Sequence, residues 1–141
     1  MKLIVMQAVK PVYVLDACAL LWLAQDEPGA DQVEEILRTA QAGECRVLLH
    51  QINLGEVVYR IGKGFGWTVA ERKQAEIGLL PIETVAFSNE IFWAAVKLKA
   101  HYPMSYADCF AAALAMQQKA VLLPSDPEFN VLGDALTTMK I

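Results

Sequence analysis

Four carboxylates stand in this sequence at places where surface acids are not expected. Asp16 closes the apolar run VYVLDA at residues 12–17, and Glu56 lies between Leu54 and the pair Val57–Val58. Asp108 is the single charge in SYADCFAAALA, residues 105–115, and Asp126 follows AVLLP, residues 120–124, just ahead of Pro127. A carboxylate away from water is costly unless it is paired, hydrogen-bonded or bound to a metal. Several together oppose one another's ionisation. Oxygen ligands without His or Cys favour hard cations, Mg2+ or Mn2+. Two such ions about 3.5–4 Å apart are a known device for phosphodiester hydrolysis, one activating water and both stabilising charge on the attacked phosphate and leaving oxygen. Setting these four acids aside leaves 12 acidic residues against 12 basic ones, so the formal net charge of −4 equals that of the proposed cluster.

Each acid also has a plainer reading. Asp108 follows Ser105 by three residues and fits the acidic half of a capping box. Asp126-Pro127 reads as a turn, and Glu56 as a solvated helix acid. Asp16 is the hardest to explain this way, because Val14, Leu15, Ala17, Ala19 and Leu20 around it all point to burial. The plain readings account for one acid at a time; a single cluster accounts for all four.

The elements that must position them follow from periodicity. VYVLDA reads as a short buried strand running into an apolar helix, CALLWLA (18–24), and Glu27-Pro28-Gly29 is a turn. From Ala30 to Ala42, Val33, Ile36, Leu37 and Ala40 follow the spacing of an amphipathic helix, with Gly43 as its stop. RVLLH (46–50) is a second strand leading into the helix QINLGEVVYRI (51–61). Gly62, Gly64 and Gly66 are expected to break the chain, and Thr68 with Glu71 to cap the next helix. LPIETVAF (80–87) looks like a strand, after which Ser88 caps NEIFWAAVKLKAH, with Ile91, Phe92, Ala95 and Leu98 on one face. Ser105 opens the helix bearing Asp108, AVLLP is a further strand, and ALTTMKI is expected to be the last. Strands alternating with helices, several of them continuously apolar, indicate a parallel sheet covered on both faces. In such sheets sites form beyond the carboxyl ends of the strands. Asp16 and Asp126 lie at strand ends, with Glu56 and Asp108 in early helical turns, so all four can converge on one edge.

Composition narrows the classes. The 141 residues are read as one domain, 1–141, without repeats or linkers. They are 55 % hydrophobic with a mean hydropathy of +0.32, so the interior should be fully packed. No run approaches the roughly 18 apolar residues of a membrane span. MKLIVMQAV reads as a lead into the first strand, and a cytoplasmic location is expected. Cys18, Cys45 and Cys109 show no CxxC spacing and are read as small core residues. The negative charge excludes a general nucleic-acid coat held by counterion release, but not a nuclease whose metals supply positive charge locally. IGKGFG lacks the GK[ST] of a P-loop, and no GxSxG nucleophile elbow occurs. His50 and His101 are expected at the surface or at strand ends, and Trp22, Phe92 and Trp93 in the core. Arg60, Lys63, Arg72 and Lys73 form a basic group around the glycines, either a solvated face or a guide for an RNA backbone.

VYVLDACALLWLA, NLGEVVYR, SYADCFAAALA and SDPEF, in this order, resemble the motifs of PIN-domain ribonucleases, most of all the VapC-type toxins of toxin–antitoxin pairs. The resemblance runs from about Tyr13 to the C-terminus and includes EPGAD. It implies a three-layer α/β/α sandwich with a central parallel sheet and a Mg2+- or Mn2+-dependent endoribonuclease. It also implies a homodimer and a cognate antitoxin whose tail blocks the acidic site. Asp16, Glu56, Asp108 and Asp126 match the family's acids in turn. Asn53 matches a commonly polar position that orients the glutamate, and Ser105 and Ser125 stand beside the third and fourth acids. Three features depart from the family: Cys18 in place of a frequent Ser or Thr, His50 in place of Ser, and Pro124-Ser125 in place of Thr-Gly or Thr-Asn. A non-catalytic PIN module binding RNA or protein is the alternative. A phospho-acceptor receiver fits worse, because no Lys or Thr follows a strand where it is needed.

Overall fold

The computed structural model describes residues 9–123 and 127–135. Ser125, Asp126 and nearly all of the strand expected in ALTTMKI lie outside the described residues, as does the N-terminal lead through Ala8. Among the described residues four strands, β1 (Val12–Leu15), β2 (Arg46–His50), β3 (Glu83–Val85) and β4 (Val121–Leu123), form one sheet in the order β3-β2-β1-β4. Every pairing is parallel. The register sets Leu15 level with Leu49 and with Leu123, so Asp16 and His50 emerge together at the carboxyl edge. At the opposite end Arg46 and Glu83, each the first residue of its strand, form a two-pronged ion pair at 2.9 and 2.8 Å that fixes the edge strand.

Side chains alternate across the sheet, as the two-residue period of a strand requires. Val14, Leu48 and Leu122 point to one face, covered by α5 (Asn89–His101) and α6 (Tyr106–Gln118). Leu15, Val47, Leu49 and Leu123 point to the other, covered by α1 (Ala17–Gln25), α2 (Ala30–Gln41), α3 (Gln51–Phe65) and α4 (Trp67–Gly78). The result is the expected α/β/α sandwich. A 3-10 segment, Pro127–Ala135, adds Phe129 and Leu132 to the α5–α6 core.

Several local expectations change. Gly62 and Gly64 do not break the chain; α3 runs through both to Phe65 and ends at Gly66, whose φ of 95° favours glycine. A methyl group on Gly62 would lie 3.0 Å from the Trp67 ring and 3.4 Å from Ala70. That glycine therefore lets α4 close on α3. Gly66 also opens α4, which places Thr68 inside the helix, where it does not cap. The third strand is three residues, not eight. Trp93 is 63 % exposed, because it stands about 200° around the helix from Ile91, away from the buried Ile91, Ala95 and Leu98. Cys45 and Cys109 are buried, but Cys18 is only half-buried.

Candidate active site

At the carboxyl edge of the sheet α1 begins after β1 and α3 after β2, and α6, which runs back to β4, opens against α3. Asp16 is the last residue before α1, only 1 % exposed, in extended conformation. Its Oδ1 accepts from the Ala19 amide at 2.8 Å and so caps the helix. The chain turns here because the strand's apolar run ends in a residue that can accept from the helix it starts.

Asp108 is the third residue of α6 and half-buried. Its own amide donates to the Ser105 hydroxyl at 3.2 Å, so Ser105 caps this helix as expected. Cys109 to Ala115 are all buried, which makes α6 a rigid mount in the core with its first turn at the sheet edge.

Glu56 is half-buried in the second turn of α3. Asn53, one turn earlier, is fully buried, and its Nδ2 donates to the Ala107 carbonyl at 3.2 Å. That bond joins the first turn of α3 to the first turn of α6, directly beside Asp108. Asn53 therefore sets the helix carrying Glu56 against the helix carrying Asp108. Its Oδ1 is buried and accepts no hydrogen bond among the described residues.

The structure thus brings Asp16 and Asp108 to the start of their helices at one sheet edge and leans the helix of Glu56 on both. Among the described residues, no group of three or more His, Cys, Asp or Glu side chains could hold a metal ion, and Asp126 lies outside them. The donor chemistry nevertheless suits a hard cation: carboxylates alone, with an unsatisfied amide oxygen buried nearby.

His50 gains a role that the sequence did not show, and Arg60, already noted in the basic group, gains a contact. His50, expected at the surface or at a strand end, ends β2 but is fully buried. Its Nδ1 accepts from the Ile52 amide at 3.0 Å, capping α3, while Phe87 and Phe110 enclose the ring. Burial pushes its pKa below the usual histidine value. Its place between RVLLH and QIN was the available signal for a cap. Arg60 lies one turn beyond Glu56, exposed, with Nη1 3.9 Å from Cys18 Sγ on α1. Partial burial works to lower its pKa, but the Glu56 carboxylate, Cys18 and Tyr59 together hold it above the ordinary arginine value.

No curated protein sequence matches the chain significantly. Among solved structures, VapBC2 from Rickettsia felis, bound to a DNA fragment from its promoter, superposes with a TM-score of 0.72 at 16 % identity, covering 91 % of this chain and 97 % of the other. VapBC-1 from nontypeable Haemophilus influenzae gives 0.69 at 20 % identity, covering 92 % and 97 %. VapC20 from Mycobacterium tuberculosis, a toxin that cleaves the sarcin-ricin loop, gives 0.68 at 13 % identity, covering 86 % and 95 %. At these identities the likeness is one of fold. The sequence itself matches the PIN domain over residues 13–135, and the chain belongs to that family.

Proposed function

We propose that the chain is a Mg2+- or Mn2+-dependent endoribonuclease, the toxin of a toxin–antitoxin pair. The observation that carries this reading is Asp16, buried to 1 % at the carboxyl edge of a PIN-domain sheet, at the same edge as the helix start that carries Asp108. Asp16, Glu56, Asp108 and Asp126 would hold the cation, which supplies an activated water and charge stabilisation when bound. Asp16 holds its oxygen still because the other end of its cap bond is the α1 backbone. Asp108 is fixed by the immersed α6, and Asn53 keeps α3 in place against it. Ser105 holds the turn that presents Asp108, and Ser125 would stand beside Asp126. A solved structure of similar fold that is a toxin–antitoxin complex supports an antitoxin partner here too. A homodimer and a cytoplasmic location belong to the same proposal; among the described residues, no helix is long and apolar enough to cross a membrane.

The test is incubation of total RNA with purified protein in Mg2+ or Mn2+, with and without chelator, beside Asp16→Asn. Cleavage by the wild type that chelator and the substitution both abolish supports the reading. An intact RNA pool with either metal would make the chain a non-catalytic PIN module instead.

A further inference from the structure

Four basic residues surround the end of α3, but they do not share one task. Lys73 is engaged with Glu76 at 3.0 Å on α4. Arg72 is exposed on the same helix. Arg60 and Lys63 are different, because they follow Glu56 at the i+4 and i+7 positions of one continuous helix. That spacing makes a single stripe, with Arg60 about 6 Å and Lys63 about 10 Å along the axis from the glutamate. Arg38 and Arg46 each face a carboxylate within ion-pair distance, whereas Arg60 makes no ion pair among the described residues. Its Nη1 rests instead on Cys18 Sγ of α1, two residues after Asp16. A guanidinium carries five N–H donors in a planar fork, and a weak thiol acceptor occupies one of them. Arg60 is exposed, and the Glu56 carboxylate one turn back acts on its charge.

In a chain of net charge −4, an arginine in this position is poorly explained as a solubilising charge. We infer that Arg60, moored on Cys18, grips a phosphate of the RNA strand adjoining the scissile bond, with Lys63 one turn farther along the same strand. The inference rests on the proposed nuclease reading and assigns part of its substrate site. The fork geometry suits two phosphate oxygens at once. The cation would draw the polyanion towards an acidic cluster that otherwise repels it. The thiol at position 18, where the resemblance places a hydroxyl, becomes the arginine's rest.

Two measurements on the full-length protein test this. The first is the Michaelis parameters for a single-stranded oligoribonucleotide in Mn2+. The second is fluorescence-anisotropy binding of the same RNA across a salt series in chelator. Arg60→Gln should raise KM about tenfold, as loss of one charge-assisted contact implies, with kcat little changed. The slope of log affinity against log salt should fall by about 0.7 for the lost phosphate contact. Arg60→Lys should keep that slope but recover only part of the affinity. Cys18→Ala should raise KM in the wild type and do nothing further in Arg60→Gln, and Arg38→Gln, on the far helix α2, should behave as wild type. If Arg60→Gln keeps wild-type KM and salt slope, or lowers kcat alone, the inference is wrong. If the wild type cleaves nothing, the nuclease reading fails, and the binding series still decides whether Arg60 holds RNA.

Discussion

The helices α1 and α6 begin at the same sheet edge, both are apolar and both have an acid at the cap or in the first turn, but they use it in opposite ways. In α1 the acid is itself the cap: Asp16 accepts from the Ala19 amide and is almost fully buried. In α6 the cap is Ser105, and the bond it makes is to the Asp108 amide, so the carboxylate is not party to it. One acid therefore combines a cap with its proposed chemistry, while the other leaves the cap to a neighbouring serine. The difference shows that a carboxylate's structural role can be separated from its proposed catalytic role by choosing which substitution keeps the cap.

The largest effect should come at Asp16. Asparagine caps a helix about as well as aspartate, so Asp16→Asn should abolish cleavage with little change in melting temperature. Asp16→Ala should abolish cleavage and also lower stability by about 0.5–2 kcal/mol in denaturant titration. Equal stability losses in the two variants would show that the Asp16 side chain does not act as a cap that Asn can replace. At α6 the two roles should come apart. Asp108→Asn should remove activity and keep stability, whereas Ser105→Ala should lower stability by about 1 kcal/mol and reduce activity far less.

A third helix at this edge extends the comparison, because α3 is capped by His50, whose acceptor must be neutral. Burial lowers its pKa, so the unfolded state takes up a proton that the folded state refuses. The stability this histidine contributes is therefore complete above its unfolded pKa of about 6.5 and is lost as pH falls towards and through the folded value. The slope cannot exceed about 1.4 kcal/mol per pH unit for one proton. Denaturation at pH 7.5, 6.5 and 5.5 should show it in the wild type and show a flatter profile in His50→Asn. The smallest effects should be at the glycines. Gly64→Ala, helical with nothing within 4 Å of the new methyl, should stabilise by about 0.5–1 kcal/mol. Gly66→Ala should destabilise, since its φ of 95° strains any other residue.

The sequence made the sandwich readable because its strands are continuously apolar and its helices periodic. RVLLH and the Ser88-capped helix emerged with their ends unchanged. What was hidden is tertiary. No local pattern distinguishes a helix-breaking glycine from one that admits a neighbouring helix, and the contact of Gly62 with Trp67 decides it. The acids were legible as misplaced charges, and Ser105 and Asn53 as residues beside them, but the long-range contacts that hold them were not. The bond from Asn53 to Ala107 crosses 54 positions, and the rest of Arg60 on Cys18 crosses 42.

These acids are proposed to form a divalent-metal site. The most direct measurement is the melting temperature of wild type, Asp16→Asn and Asp108→Asn across a Mn2+ titration in metal-free buffer. A metal bound only by the folded state stabilises it by about 2.7 kcal/mol at a hundred times its dissociation constant. A saturable rise is expected for the wild type and a much weaker one for both variants. A wild-type curve that is flat, or a rise that both variants share in full, would contradict it.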